Sequence, residues 1–177
     1  ASFEDIDNDG DLDLILTDYD VPARLLENDG AGHYTEITNG SGFSLDIMPI
    51  ESKMEDFDND GYVDILVTGD DARLFHNNHN RTFTLLSNVF DNNGMESFAV
   101  GDLNHDGRVD IYASYANIYT TPTTIDDVVW LNTSNPQNHF VTFNLQGTVS
   151  NRDALGARVE VYGAWGKQIR EVRSGES

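Results

Sequence analysis

An all-β fold is predicted for this 177-residue chain, and three observations predict it. One acidic loop pattern occurs three times, opening at Asp5, Asp56 and Asp102. Each loop is followed by short runs rich in β-branched and aliphatic residues, too short for helices. No long amphipathic helical period appears anywhere. Intervals of 51 and then 46 residues between loops are those of propeller blades or solenoid units.

The loops come first in chain order and set the chemistry. They read Asp5-Ile-Asp7-Asn-Asp9-Gly-Asp11-Leu-Asp13, Asp56-Phe-Asp58-Asn-Asp60-Gly-Tyr62-Val-Asp64 and Asp102-Leu-Asn104-His-Asp106-Gly-Arg108-Val-Asp110. Oxygen side chains at positions 1, 3, 5 and 9 are what a hard cation such as Ca²⁺ requires. The glycine at position 6 permits the backbone reversal, and the carbonyl of position 7 (Asp11, Tyr62, Arg108) can turn inward as a further ligand. A solvated turn would explain a single copy, since Asp-Gly is an ordinary turn former. Three copies with one spacing favour three metal sites, one ion per loop. The EF-hand is excluded because its bidentate Glu at position 12 is replaced by Leu16, Val67 and Ala113. Dockerin-type loops also keep an acid there and fit no better.

Each loop implies a strand on either side. Phe3, Met54 and Val100 mark a first strand two residues before the loop, and Ile6, Phe57 and Leu103 follow the first ligand. The second strands are residues 12–17, 63–68 and 109–114. A third strand ends at Asn28, Asn77 and Asn132, each opening a turn. Residues 34–38, 82–86 and 140–143 supply a fourth. The expected architecture is therefore a partial β-propeller of about three four-stranded antiparallel blades, residues 1–135, with a C-terminal β-hairpin module over 136–177. The hairpin pairs 157–162 with 167–173, and Gly163 and Gly166 bracket its turn. The third unit is longer than the others through residues 117–127, a stretch that fits a binding loop on a rigid scaffold or, as the favoured reading, a tolerated surface insertion.

Composition narrows the function. Acidic residues number 31 against 10 basic ones, a formal charge of −21. Nucleic acid and anionic membrane both demand a basic footprint, so neither is an expected partner. Three divalent ions would reduce the charge to about −15. Half the basic residues, Arg152, Arg158, Lys167, Arg170 and Arg173, fall in the last segment. That asymmetry fits either a separate module or electrostatic docking on an acidic neighbour in the same chain or another. No cysteine is present, which excludes disulfides, thiolate zinc sites and cysteine nucleophiles. No apolar run is long enough to span a bilayer. Calcium in place of disulfides points to an extracellular or cell-surface location, where the ion is plentiful.

The loops and their flanks resemble FG-GAP/VCBS repeats, the calcium-binding propeller blades of integrin α-chain heads and many bacterial surface proteins. Residues 138–147, followed by Ser150-Asn151-Arg152-Asp153-Ala154-Leu155-Gly156-Ala157-Arg158, resemble the ASPIC/UnbV domain, which follows such repeats in cartilage acidic protein and its bacterial relatives. The resemblance implies an extracellular calcium-dependent propeller with an appended β module. In that module Asn151, Arg152, Asp153, Gly156, Ala157 and Arg158 are read as structural: a turn and a buried Arg-Asp pair before the hairpin. Related propellers close with about seven blades. Three blades here imply a fragment of a longer protein or sheets completed by neighbouring chains.

No catalytic constellation is evident. No Ser lies in a Gly-x-Ser-x-Gly turn. His76 and His79 form an H-x-x-H in an Asn-rich turn, off any helix face and without a Glu, which argues against a transition-metal site. His105 sits in the third loop at a non-liganding position. Paired carboxylates suit glycoside hydrolysis, but bound calcium would occupy them. The expected function is a non-catalytic binding or adhesion module for a protein or glycan ligand. The alternatives are a self-assembling structural protein and a polysaccharide-active enzyme or accessory domain.

Overall fold

A computed structural model describes residues 1–91, 94–115, 125–134, 137–149 and 151–174. Among these residues there are only strands and connections, and no helix is long and apolar enough to cross a membrane. Three antiparallel sheets stack in a partial β-propeller-like arrangement, followed by a separate hairpin. The first sheet is β1 (Ser2–Glu4), β2 (Asp13–Asp18), β3 (Val21–Asn28) and β4 (Tyr34–Glu36), in that order. The second repeats it with β5 (Pro49–Glu55), β6 (Asp64–Gly69), β7 (Arg73–Asn77) and β8 (Phe83–Leu86). The third contains β9 (Met95–Gly101), β10 (Asp110–Tyr115) and β11 (Val128–Trp130). Every acidic loop joins the first strand of its sheet to the second, as its position in the sequence predicts.

Why the sheets stack is written in the consecutive apolar residues of the middle sheet, which point to opposite faces. In β6 every residue is buried, which requires cover on both faces. Ile65 and Val67 turn to the first sheet and join Ile15, Ala23, Leu25 and Phe75 in one core. Leu66 turns the opposite way and joins Leu74, Phe98, Ile111 and Ala113 in another. The middle sheet is thus the shared wall of two cores. Burying side chains of this size stabilises by about 1.5–3 kcal/mol each. The β4–β5 connection seals the first core with Phe43, which meets Phe75 edge-on at 5.0 Å. Phe90 and Trp130 do the same for the second at 5.7 Å.

The outer faces of the stack lack such cover. Phe3, paired with Leu14 on the far side of the first sheet, is 39% exposed. Tyr112 and Val129, paired on the far side of the third, are 44% and 49% exposed.

Two expectations are corrected. Residues 140–143 do not form the fourth strand of the third sheet; they lie outside any strand, with Phe140, Val141 and Phe143 at least half exposed. The chain leaves the sheet edge because Asn132 and Ser134 donate to the Phe57 carbonyl at 2.6 and 3.1 Å, and Asn138 donates to the Asp58 carbonyl at 2.9 Å. These bonds draw it across the loops instead. Arg152 and Asp153 are exposed and form no buried pair. Asn151 makes the turn there, donating to the Leu155 carbonyl and accepting from the Leu155 N–H. Most of the elongated 117–127 stretch lies outside the described residues, but Asp127 accepts from the Tyr112 hydroxyl at 2.6 Å.

The hairpin comprises β12 (Arg158–Gly163) and β13 (Gly166–Glu171), close to the predicted limits. A lone two-stranded hairpin is marginal in water. This one is held by contact with the rest of the molecule: Ile169 is fully buried, and basic residues on both strands reach the acidic loops.

Candidate metal sites in the acidic loops

The three loops fold alike because their carboxylates cap their own backbone. Position 1 accepts from the N–H groups of positions 5 and 6. Asp9 and Gly10 donate to Asp5 at 3.1 and 3.0 Å, Asp60 and Gly61 to Asp56 at 3.1 and 2.9 Å, and Asp106 and Gly107 to Asp102 at 3.0 and 3.0 Å. Position 5 accepts from position 7: Asp11 donates to Asp9, Tyr62 to Asp60 and Arg108 to Asp106. Such bonds occupy one lone pair of each oxygen and leave others for a cation. Gly10, Gly61 and Gly107 have φ of +102°, +96° and +84°, which only glycine adopts readily. Asn8, Asn59 and His105 at position 4 stand near +60° in all three loops.

Position 9 fastens each loop to its sheet. Asp13 accepts from Ile6 and Asn28, Asp64 from Phe57 and Asn77, and Asp110 from Leu103 and Asn132, all at 2.8–3.2 Å. These three aspartates are 0–3% exposed. The strand-ending asparagines complete the arrangement. Asn77 also donates to the carbonyls of Ile6 and Val63 at 2.8 and 3.0 Å, so it ties the second sheet to the first loop. Asn132 makes the matching pair of bonds to Phe57 and Val109.

The predicted ligands converge unequally. In the first loop, oxygens of Asp5, Asp7 and Asp13 lie within 4.8 Å of one another. In the second, Asp56, Asp58 and Asp60 form one such group, and Asp58, Asp64 and His76 form another. Among the described residues the third loop assembles no comparable group. There Asn104 replaces an aspartate, and Arg108 and Asn104 both donate to Asp106 at 2.7 and 3.1 Å. Arg81 of the β7–β8 turn pairs with Asp7 at 2.6 Å and Glu27 at 2.9 Å beside the first loop. Asp11, expected to act through its carbonyl, also has a buried side-chain oxygen without a hydrogen-bond partner.

Charge confinement has a measurable consequence. Burial, opposed by N–H donors and reinforced by neighbouring aspartates, pushes Asp5 and Asp56 up to about 6 and Asp13 up to about 7. The same causes push Asp64 up to about 8. Burial and the adjacent Asp60 raise Asp58 as well. Asp106 moves the opposite way, because Arg108 already supplies its countercharge. The first two loops therefore hold carboxylates that favour a proton or a cation at neutral pH. In the first loop the converging donors are all oxygens, fixed by backbone bonds, and an unpartnered oxygen of Asp11 stands in the same loop, an arrangement that fits a hard divalent ion.

The loops form a row. Asn8 donates to the Gly61 carbonyl at 3.1 Å, and Asn59 to the Gly107 carbonyl at 2.9 Å. Along this row lies the C-terminal segment. Arg158 donates to the Gly10 carbonyl at 2.5 Å, Lys167 to the Asp9 carbonyl at 3.2 Å and Gln168 to the Gly61 carbonyl at 2.9 Å. Phe140 rests on Gly107, where any side chain would strike its ring. Each loop glycine thus meets a residue of the C-terminal segment. The sequence raised electrostatic docking of this basic segment on an acidic neighbour as one of two readings, but named none of these contacts.

Residues 56–113 match the FG-GAP-like repeat. The matched FG-GAP-like repeat starts at the first ligand of the second loop and ends within β10, so it runs from one sheet into the next and includes both later loops. No curated protein matches the chain.

Proposed function

We propose that this chain is an extracellular, non-catalytic binding or adhesion segment of a β-propeller whose acidic loops bind Ca²⁺. The C-terminal segment acts in this reading as an ASPIC/UnbV-like module docked on the loop row. The observation that carries the proposal is the repeated loop geometry, the same backbone-to-carboxylate bonds in all three copies. Three loops place oxygens at the same four positions, and each is fastened to its sheet by a buried ninth-position aspartate. Asp5, Asp7, Asp9 and Asp13 would hold the first ion, and Asp56, Asp58, Asp60 and Asp64 the second. Asp102, Asn104, Asp106 and Asp110 would hold the third, most weakly, because Arg108 competes for Asp106. A bound cation supplies countercharge and fixes the loops. The loops in turn position the connections that would face a protein or glycan ligand, a role consistent with the FG-GAP-like match.

The test is thermal unfolding of the whole chain in chelator and in millimolar Ca²⁺. A ligand that binds only the folded state stabilises by about 2.7 kcal/mol per site at 100 times Kd. A clear rise in Tm with Ca²⁺ is expected, and Asp13→Asn and Asp64→Asn should each diminish it. Superimposable curves in chelator and Ca²⁺ would overturn the proposal.

A further inference from the structure

The three loops differ in what stands beside them. Asn28, Asn77 and Asn132 give a common register. The residue before each is Glu27, His76 or Leu131, and the residue two positions after is Gly30, His79 or Ser134. Only the second loop is flanked by imidazoles.

Both imidazoles reach its carboxylates. His79 Nε2 is 2.5 Å from Asp60 Oδ2. His76 Nδ1 is 3.2 Å from Asp64 Oδ1 and 3.6 Å from Asp58 Oδ2. Donor atoms of Asp60, His76 and His79 all lie within 4.8 Å of one another. Tetrahedral coordination with bonds of about 2.0–2.1 Å places donors about 3.3 Å apart, which His76 meets with Asp64 and Asp58, while His79 and Asp60 would separate from 2.5 Å to admit an ion.

The histidines are also held in place by features independent of the carboxylates. His79 has a left-handed backbone, φ +65°, and its N–H donates to Asn77 Oδ1 at 2.9 Å. Its ring stacks on Tyr62 at a centroid distance of 4.1 Å and an angle of 11°. His76 projects from β7 and meets the His79 ring edge-on at 6.2 Å. Side-chain exposures of 31% for His76 and 45% for His79 leave an entry path and room for water.

We propose that the second loop is a mixed nitrogen–oxygen site for a transition divalent cation such as Zn²⁺. His76, His79 and Asp60 are its protein ligands, and Asp58 or Asp64 lies within reach to complete the shell. Imidazole is a poor ligand for calcium and a preferred one for zinc and its neighbours. The H-x-x-H was discounted in the sequence because it lies in an Asn-rich turn, off any helix face and without a Glu; the fold brings Asp60 of the loop to it instead. Because Asp60 is shared with the oxygen donors of the same loop, calcium and the transition ion compete there. The proposal stands whether or not the other loops bind calcium.

The experiment is a titration of the metal-free full chain with Zn²⁺ at pH 7.5, by calorimetry, with and without millimolar Ca²⁺. Co²⁺ serves as a visible probe. One equivalent of Zn²⁺ should bind, and each of His76→Gln and His79→Gln should weaken it at least tenfold. Co²⁺ should give the intense absorption of a low-coordinate nitrogen–oxygen site, lost in the double variant. Unchanged Zn²⁺ affinity in the double variant would overturn the proposal, since carboxylates alone would then be the ligands. Should the variants fail to fold, imidazole resonances of the unaltered chain decide. Zn²⁺ must shift two histidines assigned as His76 and His79 and leave His33 and His139 in place; any other pattern sinks it.

Discussion

Single residues carry much of the connection between the acidic loops and the sheets. Asn77 is fully buried, and its side chain satisfies two backbone carbonyls, Val63 at the end of the second loop and Ile6 in the first loop. Asn28 occupies the same place in the first sheet but donates to one carbonyl only, that of Leu12 at 3.1 Å. Leaving a buried carbonyl unpaired costs about 1–3 kcal/mol. Asn77→Ala should therefore lower unfolding free energy by about 2–5 kcal/mol and Asn28→Ala by about 1 kcal/mol, read from urea denaturation. Equal losses would show that the cross-sheet bond to Ile6 contributes nothing. The asparagines were visible in the sequence as turn openers. Their second role was not, because Asn77 and Ile6 are far apart along the chain and meet only when two sheets stack.

At the scale of elements, the hairpin depends most on its surroundings. Its polar contacts to the first loop, through Arg158 and Lys167, are exposed. Exposed charged contacts are worth about 0–1 kcal/mol each. Ile169, fully buried, is the apolar anchor of β13. Truncating such a residue costs about 2–5 kcal/mol, more than a two-stranded hairpin can lose and stay docked. Ile169→Ala should thus expose residues 151–174 to limited proteolysis while the blades keep their melting temperature. A variant as resistant as the parent would show that the polar contacts suffice. The hairpin itself was legible from its two short runs and the glycines that bracket its turn. Residues 140–143 were misread as a strand because a short run of aromatic and β-branched residues says nothing about which partner is nearer. The side-chain bonds of Asn132, Ser134 and Asn138 direct this segment to the loops.

For the whole molecule, the row of loops makes stability depend on pH in a direction set by burial. Asp5 and Asp56 stand at about 6, Asp13 at about 7 and Asp64 at about 8, all above the ordinary carboxylate value of 3.8. The folded chain therefore binds protons more tightly than the unfolded chain. Their contribution is fully present below the ordinary value and is lost as pH rises through about 6–8. In chelator, Tm should fall between pH 5.5 and 8.5. In saturating Ca²⁺ the fall should shrink or reverse, because the ion prefers the deprotonated form. A Tm that rises over this range in chelator would contradict the assigned burial.

From the sequence alone came the all-β class, the repeat interval and the donor positions of the loops. These are local: a glycine and oxygens at fixed spacing determine one loop whatever lies around it, and alternating apolar residues determine a strand. The Arg81–Asp7 and His79–Asp60 contacts, the cross-sheet asparagine bonds and the seat of the hairpin were decided only by tertiary structure. His79–Asp60 joins two connections of one sheet, and the others join groups far apart in sequence across neighbouring elements. Their energies depend on burial and on angstrom-scale separations, which no linear pattern of residues specifies.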